Sequence, residues 1–260
     1  MGGPEVVVLR SADALAGDVA ARTAAMLATA QQTRGRAALA LTAGSIMEKI
    51  WARLAESPTV HTVEWDRVDV FWGDERFVAH DSADRNDVPA ERLLFSKAPF
   101  SAARRFAMPA SDGEYGDNLD AAAAGYAAQL QAARRPDDAE DIPHFDTVLL
   151  GVGPDGHCCS LFPEHPGVYD DSATVIPVRN SPKPPPSRLS LSFDGLNAAN
   201  EIWVVASGSG KADAVAMALS GAGRVQVPSA GARGRRRTVW LVDRDAAAKL
   251  PASMYHLPIS

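Results

Sequence analysis

Six short apolar, β-branched runs constrain the fold of this chain more than any other feature: Val6–Leu9, Ala37–Thr42, Val68–Trp72, Thr147–Leu150, Glu201–Ala206 and Thr238–Val242. Near-continuous apolar runs of this length suit strands covered on both faces, since a strand with one wet face alternates apolar and polar residues. Helical patterns separate them. Ala12–Gln32 is rich in alanine and carries Leu15, Val19, Ala20 and Leu27 at helical spacing, and Ile46–Leu54, Asp117–Ala133 and Lys211–Leu219 read the same way. Strands alternating with helices predict an α/β fold: an open, mostly parallel, Rossmann-like sheet with helices on both faces, a three-layer α/β/α arrangement. A chain of 260 residues, 46% of them hydrophobic, can bury such a core, and residues 1–260 read as a single domain. The proline-rich stretch Ser181–Ser187 is a stiff extended segment, short enough to be an internal loop rather than a linker.

Several function classes are set aside at once. No stretch approaches the roughly 18–20 apolar residues that span a bilayer, so no membrane partner is expected. The opening MGGPEVVVLRSADAL has no basic segment before an apolar one, which argues against a secretory signal, and Val6 stands where a myristoylation site needs Ser or Thr. The only cysteines, Cys158 and Cys159, are adjacent. Adjacent cysteines rarely form a disulfide, and two thiols alone cannot fill a tetrahedral zinc site, so a reducing, cytoplasmic setting is expected. The formal net charge is −6, against the basic face that a nucleic-acid binder usually shows. The one basic cluster, Arg233 to Arg237, reads as a solvated loop before the last strand.

The stretch VLLGVGPDGHCCSLFPEH at 148–165 poses the sharpest question, because Gly151, Gly153 and Gly156 fit G-x-G-x-x-G. A dinucleotide fingerprint needs a long helix opening from the loop and an acidic residue about 20 positions on, at the end of a second strand. Pro163 and Pro166 cut any helix short, no strand precedes Asp170 and Asp171, and Asp155 would set a carboxylate beside the pyrophosphate. What remains is a strand ending in a glycine turn that carries Asp155 and His157. Ligands of open α/β sheets bind at the carboxyl ends of the strands, and histidine is the side chain best poised to move a proton near neutral pH. The bland alternative is a histidine that merely caps a turn.

Three other strand ends carry unusual turns. Ala37–Thr42 runs into Ala43, Gly44 and Ser45 before a helix, where free N–H groups and a hydroxyl suit a phosphate, or where Thr42 or Ser45 simply caps the helix. Val68–Trp72 runs into Gly73-Asp74-Glu75-Arg76, three charges that are costly to bury without partners. Glu201–Ala206 runs into Ser207-Gly208-Ser209-Gly210-Lys211. This resembles the tail of a nucleotide-triphosphate loop, but Val205 replaces its opening glycine and Ala212 its hydroxyl residue, leaving a lysine suited to a simpler phosphate. If these strands are neighbours, the four turns converge on one cleft for a phosphorylated small molecule and a general base.

The constellation resembles the 6-phosphogluconolactonase family, which shares a superfamily with glucosamine-6-phosphate deaminase. The stretches that carry the resemblance are LTAGS (41–45), VFWGDERFVAHDSADRN (70–86), FDTVLLGVGPDGHCCSLFPEH (145–165), PPPSRLSLSF (184–193) and VVASGSGKADAV (204–215). The resemblance implies hydrolysis of 6-phosphogluconolactone to 6-phosphogluconate in the pentose phosphate pathway, with neither metal nor organic cofactor and a small-molecule sugar phosphate as substrate. It implies that His157 activates water and returns the proton to the ring oxygen, and that Asp155 fixes this loop. It matches Gly44 and Ser45 to the phosphate-side turn, and Arg76, Arg188 and Lys211 to the residues that hold the anionic substrate. Asp74 matches an acidic position of the Gly-Asp-Glu-Arg motif. Cys158 and Cys159 read as inert rather than nucleophilic, because no second histidine is clearly placed to activate them.

Two departures stand out: Ala43 replaces a glycine frequent in the family's first turn, restricting the backbone there, and Ile46-Met47 replaces Thr-Pro. The region Gly221–Arg237 matches weakly. The nearest alternative is an amino-sugar-phosphate deaminase or isomerase, whose branch usually continues after Gly-His with Ile-Ala-Phe-Asn-Glu-Pro. Here Cys158-Cys159-Ser160-Leu161-Phe162-Pro163 favours the lactonase branch. A non-catalytic sugar-phosphate sensor would usually add a helix-turn-helix domain, for which a first strand at about Val6 leaves no room.

Overall fold

The computed structural model describes residues 3–97, 99–136, 138, 142–171 and 173–254; Met1 and Gly2, the start of the myristoylation pattern, lie outside them. Among the described residues, seven strands form one parallel sheet: β1 (Glu5–Leu9), β2 (Ala37–Leu41), β3 (Val68–Trp72), β5 (Arg104–Arg105), β6 (Thr147–Gly151), β9 (Glu201–Ala206) and β10 (Arg237–Asp243). Their order is β1-β10-β9-β6-β2-β3-β5. The strands predicted from apolar runs all appear, with ends shifted by at most one residue. Arg237 begins β10, correcting its assignment to the solvated loop, whereas Arg233, Arg235 and Arg236 are exposed as expected.

Helices surround the sheet: α1 (Ala12–Arg34), α2 (Ser45–Glu56), α3 (Asp87–Ala90), α4 (Leu119–Ala133), α5 (Phe193–Asn197) and α6 (Ala212–Leu219). Helix α1 starts where Ser11 is extended and its hydroxyl accepts from the Ala14 N–H, and it stops at Gly35, whose φ of 76° favours glycine. Leu15, Val19 and Leu27 fall on its buried face, and α1 packs against α2, which buries Met47, Ile50, Trp51 and Leu54. Full burial of each such large side chain contributes about 1.5–3 kcal/mol relative to exposure.

A second, three-stranded antiparallel sheet was not anticipated. It comprises β4 (Asp74–Arg76), β8 (Arg188–Leu191) and β7 (Val175–Val178) in that order, with α4 packed against β7 and β8. The chain passes from β3 into β4 through Gly73, whose N–H donates to Leu41 and whose carbonyl accepts from Leu191. A Cβ there would lie 2.9 Å from Thr42 Cγ2 and 3.0 Å from Cys159 Sγ, so the close approach of the two sheets requires glycine.

The topology places the chemistry. From β2 the chain proceeds to β3 on one side, while from β6 it proceeds to β9 and then β10 on the other. Adjacent strands β2 and β6 therefore flank the point where the winding reverses, where ligands of such sheets bind. The Thr42 hydroxyl ties these strand ends together, donating to the Leu149 carbonyl at 3.0 Å and accepting from the Gly151 N–H at 2.9 Å.

Candidate active site

At the carboxyl ends of the parallel strands lies a cleft of about 500 Å³, and Gly44, Ser45, Asp74, Arg76, His157, Arg188 and Lys211 all line it. Asp155 reaches it through His157. The turns predicted to converge do so because β3, β2, β6 and β9 are neighbours.

The glycine loop after β6 is shaped around an imidazole. The Gly156 N–H donates to the Gly153 carbonyl and the Gly153 N–H to the His157 carbonyl, both at 2.9 Å. A Cβ on Gly153 would lie 1.9 Å from His157 Nδ1, so the ring can lie against the turn only because that residue is glycine. His157 Nδ1 is 2.5 Å from Asp155 Oδ1, and the ring packs on Phe162 with centroids 4.8 Å apart. In the tautomer in which Nδ1–H donates to Asp155, Nε2 is left as the proton acceptor.

The structure adds a residue that the sequence reading missed. Lys183 Nζ lies 3.1 Å from Asp155 Oδ1 and 3.0 Å from His157 Nδ1. Burial alone would raise the Asp155 pKa, but the contacts with His157 and Lys183 outweigh it and hold the carboxyl well below the usual range. Lys183 sits in the proline-rich loop between β7 and β8. Its presence in a stiff segment was the available signal; what the sequence could not give was the hairpin that swings this loop over His157.

Arg188 lines the cleft as expected but is committed to that same loop. Its Nε donates to the Pro185 carbonyl at 3.1 Å, and Nη2 donates to Lys183 and Pro184 at 3.0 and 2.9 Å. Burial lowers its pKa. Arg188 therefore fixes the backbone that carries Lys183, besides bringing its own charge to the cleft wall. Arg76 donates from Nη1 to the Asp84 carbonyl at 2.6 Å.

Asp74 is almost fully buried, accepts from the Ser160 hydroxyl at 2.8 Å and so links β4 to the chain just after His157. Its neighbour Glu75, also unassigned from sequence, points the other way. It is fully buried and accepts from the N–H groups of Arg76 (2.7 Å), Asn86 (2.6 Å) and Asp87 (3.1 Å), closing the 76–87 loop. Burial pushes its pKa up to about 7, against the opposing pull of Arg85.

Gly44 has a φ of 142°, a conformation that favours glycine, and Ser45 opens α2. Ala43 is not among the residues with positive φ, so alanine is accommodated there. Lys211 stands at the start of α6, half-buried, its pKa lowered by burial and by the neighbouring Lys183 ammonium. Burial also pushes both cysteine thiols up, which keeps them protonated and unreactive, as expected.

A second groove of about 580 Å³ lies at the amino ends of the strands, beneath α1. Three of its arginines are engaged, Arg22 with Asp18 at 2.5 Å, Arg34 with Asp146, and Arg237 with Glu201 at 2.9 Å, and Arg236 also lines it. Among the described residues no helix is long and apolar enough to cross a membrane, and no group of three or more His, Cys, Asp or Glu side chains is placed to hold a metal ion.

Comparison with known proteins bears on what this cleft does. Residues 10–240 match the family described as glucosamine-6-phosphate isomerases/6-phosphogluconolactonase. A 6-phosphogluconolactonase of Streptomyces coelicolor is 49% identical over 252 residues, 97% of this chain and 97% of the relative. One from Mycobacterium tuberculosis is 42% identical over 247 residues, 95% of this chain and 98% of its own. Among solved structures, the 6-phosphogluconolactonase of Trypanosoma brucei superposes with a TM-score of 0.81 at 26% identity, covering 96% of this chain and all of that one. A monomeric glucosamine-6-phosphate deaminase shares the fold at a TM-score of 0.73 and 20% identity, covering 94% of this chain and 99% of its own.

Proposed function

The chain belongs to the glucosamine-6-phosphate isomerase/6-phosphogluconolactonase family, and from that premise we propose that it hydrolyses 6-phosphoglucono-1,5-lactone to 6-phosphogluconate in the pentose phosphate pathway. The observation that carries the reading is the Asp155–His157 contact at the point where the strand winding reverses. In this mechanism Nε2 of His157 takes a proton from water as it attacks the lactone carbonyl. The tetrahedral intermediate collapses, the bond to the ring oxygen breaks, and the imidazolium returns the proton to that oxygen. Asp155 stabilises the imidazolium formed in between, and Lys183 keeps Asp155 ionised.

A δ-lactone is an activated ester, so one general base suffices without a covalent nucleophile; such a base contributes roughly 10²- to 10⁴-fold. Lys211 and the Gly44–Ser45 turn at the start of α2 hold the phosphate, by point charge and by helix N–H groups. Arg76 and Arg188 add positive charge along the path. Phosphate binding remote from the carbonyl supplies orientation. We place this chemistry in one domain, in a reducing cytoplasmic setting that suits two free, buried cysteines.

The test is wild-type turnover on two substrates. Lactone generated in situ and corrected for spontaneous hydrolysis should be consumed rapidly, while glucosamine 6-phosphate should release no ammonia. Ammonia release without lactone turnover would move the assignment to the deaminase branch. Thermal stabilisation by 6-phosphogluconate with no turnover of either would move it to a sensor.

A further inference from the structure

We propose that Asp243 is a positioning residue for substrate discrimination: its carboxylate fixes the turn that delivers Lys211 to the cleft, and so sets the preference for a phosphorylated over an unphosphorylated lactone. The inference rests on the reading that Lys211 holds the phosphate.

Asp243 is the last residue of β10 and is buried. Pairing of Val242 with Ala206 sets Asp243 beside Ser207, the first residue after β9. There the carboxylate collects a dense set of donors. The Ser207 hydroxyl donates to Oδ2 at 2.5 Å, and the Gly208 N–H lies 3.0 Å from Oδ1 and 3.1 Å from Oδ2. The Ala246 N–H donates to Oδ1 at 2.8 Å. A buried carboxylate persists only when its oxygens are satisfied, and here a hydroxyl and two backbone N–H groups satisfy it, with no cation among its hydrogen-bond donors in the described residues. One oxygen is thus anchored on the segment after β10 and the other grips the turn after β9.

That turn leads directly to Lys211. Gly208 has a φ of 89°, which favours glycine, and its carbonyl accepts from the Lys211 N–H at 3.0 Å. From Asp243 to Lys211 the chain of contacts is continuous: carboxylate, Gly208 N–H, Gly208 carbonyl, Lys211 N–H. The anchor matters because the ammonium at the end of this backbone is under stress. Burial and Lys183 both disfavour its charge. A lysine side chain is a flexible stem carrying a point charge, so its charge is placed only as well as its backbone. Asp243 is not among the residues that line the cleft; it acts through the turn.

Kinetics on two lactones test this, using 6-phosphogluconolactone and unphosphorylated glucono-1,5-lactone with wild type, Asp243→Asn, Lys211→Met and the double variant. Asparagine keeps the shape but replaces one acceptor oxygen with a donor. Asp243→Asn should raise KM for the phosphorylated lactone about tenfold with kcat changed less than about threefold, the signature of lost binding common to ground and transition states. On the unphosphorylated lactone its kcat/KM should stay within about twofold of wild type, and in the Lys211→Met background it should add less than about twofold, because the two act through one contact chain. Ser207→Ala, which removes a single contact, should shift KM in the same direction by less. Equal losses on both lactones would show a merely structural role and overturn the proposal, as would Asp243→Asn and Lys211→Met effects that multiply independently. A wild type indifferent to the phosphate, or a Lys211→Met that keeps the preference, would bring down the phosphate reading and this inference together. A preference abolished by Lys211→Met but untouched by Asp243→Asn would bring down this inference alone.

Discussion

The two ends of the parallel sheet carry cavities of similar size, about 500 Å³ at the carboxyl ends and about 580 Å³ at the amino ends, and both are rich in cations. They differ in how those charges are spent. At the amino ends, Arg22, Arg34 and Arg237 neutralise Asp18, Asp146 and Glu201. At the carboxyl ends Lys183 and Lys211 are close enough for their charges to oppose each other, and Arg76 and Arg188 line the same cleft, against the two carboxylates of Asp155 and Asp74. Concentrated like charge in a cleft is destabilising unless an anion arrives, which supports the proposal that the smaller cavity takes the ligand. Volume alone would favour the other end. The fold supplies the rest of the difference, because strand-to-helix turns at the carboxyl ends present N–H groups and glycine-rich loops, whereas the amino ends present none of the four predicted turns.

This contrast can be broken from either side. The largest expected effect after loss of the base itself is from Asp155→Asn. An amide can present its N–H to Nδ1 and stabilise the wrong tautomer, so kcat should fall on the order of 10²-fold with little change in product binding. A fall below about threefold would detach Asp155 from the chemistry.

Glu75→Gln should act on stability, with a pH signature. Its carboxyl is pushed up to about 7 by burial, whereas the unfolded chain titrates near an ordinary carboxylate value of about 4.3. A raised folded-state pKa gives stability that is fully present below the unfolded value and is lost as pH rises through the folded one. The wild-type advantage in Tm over Glu75→Gln should therefore be larger at about pH 5 than at about pH 8. An advantage that grew with pH would mean that the three backbone N–H donors dominate and keep the carboxylate ionised throughout.

The smallest effect belongs to the amino ends. Arg22→Ala breaks a partly exposed pair and should cost less than about 1 kcal/mol in a denaturant titration, leaving lactone turnover unchanged. A substantial loss of turnover would give that groove a role in the reaction.

The parallel sheet was legible because its strands are buried on both faces and therefore read as unbroken apolar runs; Val68–Trp72 and Glu201–Ala206 even have the predicted bounds. The small sheet was not, because β4 is the charged tripeptide Asp74-Glu75-Arg76 and the central β8 pairs with it only through tertiary contacts. Lys183 was hidden for the same reason. Glu75 sat in a stretch already singled out, yet nothing in the sequence separates a carboxylate that closes its own loop from one that faces the cleft. Asp243 was more accessible: an acidic residue at the carboxyl end of an apolar strand is the signal that drew attention to Asp74. Ala43 shows the converse, since a residue-level departure from a family pattern became harmless once its φ was known.

The most direct test of the account compares wild type with His157→Ala, measuring lactone turnover and 6-phosphogluconate binding in the same preparations. Turnover should fall roughly 10²- to 10⁴-fold while product affinity stays within about threefold, because the imidazole moves a proton between the attacking water and the leaving ring oxygen and does not hold the phosphate. Turnover at the wild-type rate in a folded His157→Ala protein would contradict it, leaving the cleft as a binding site whose chemistry lies elsewhere.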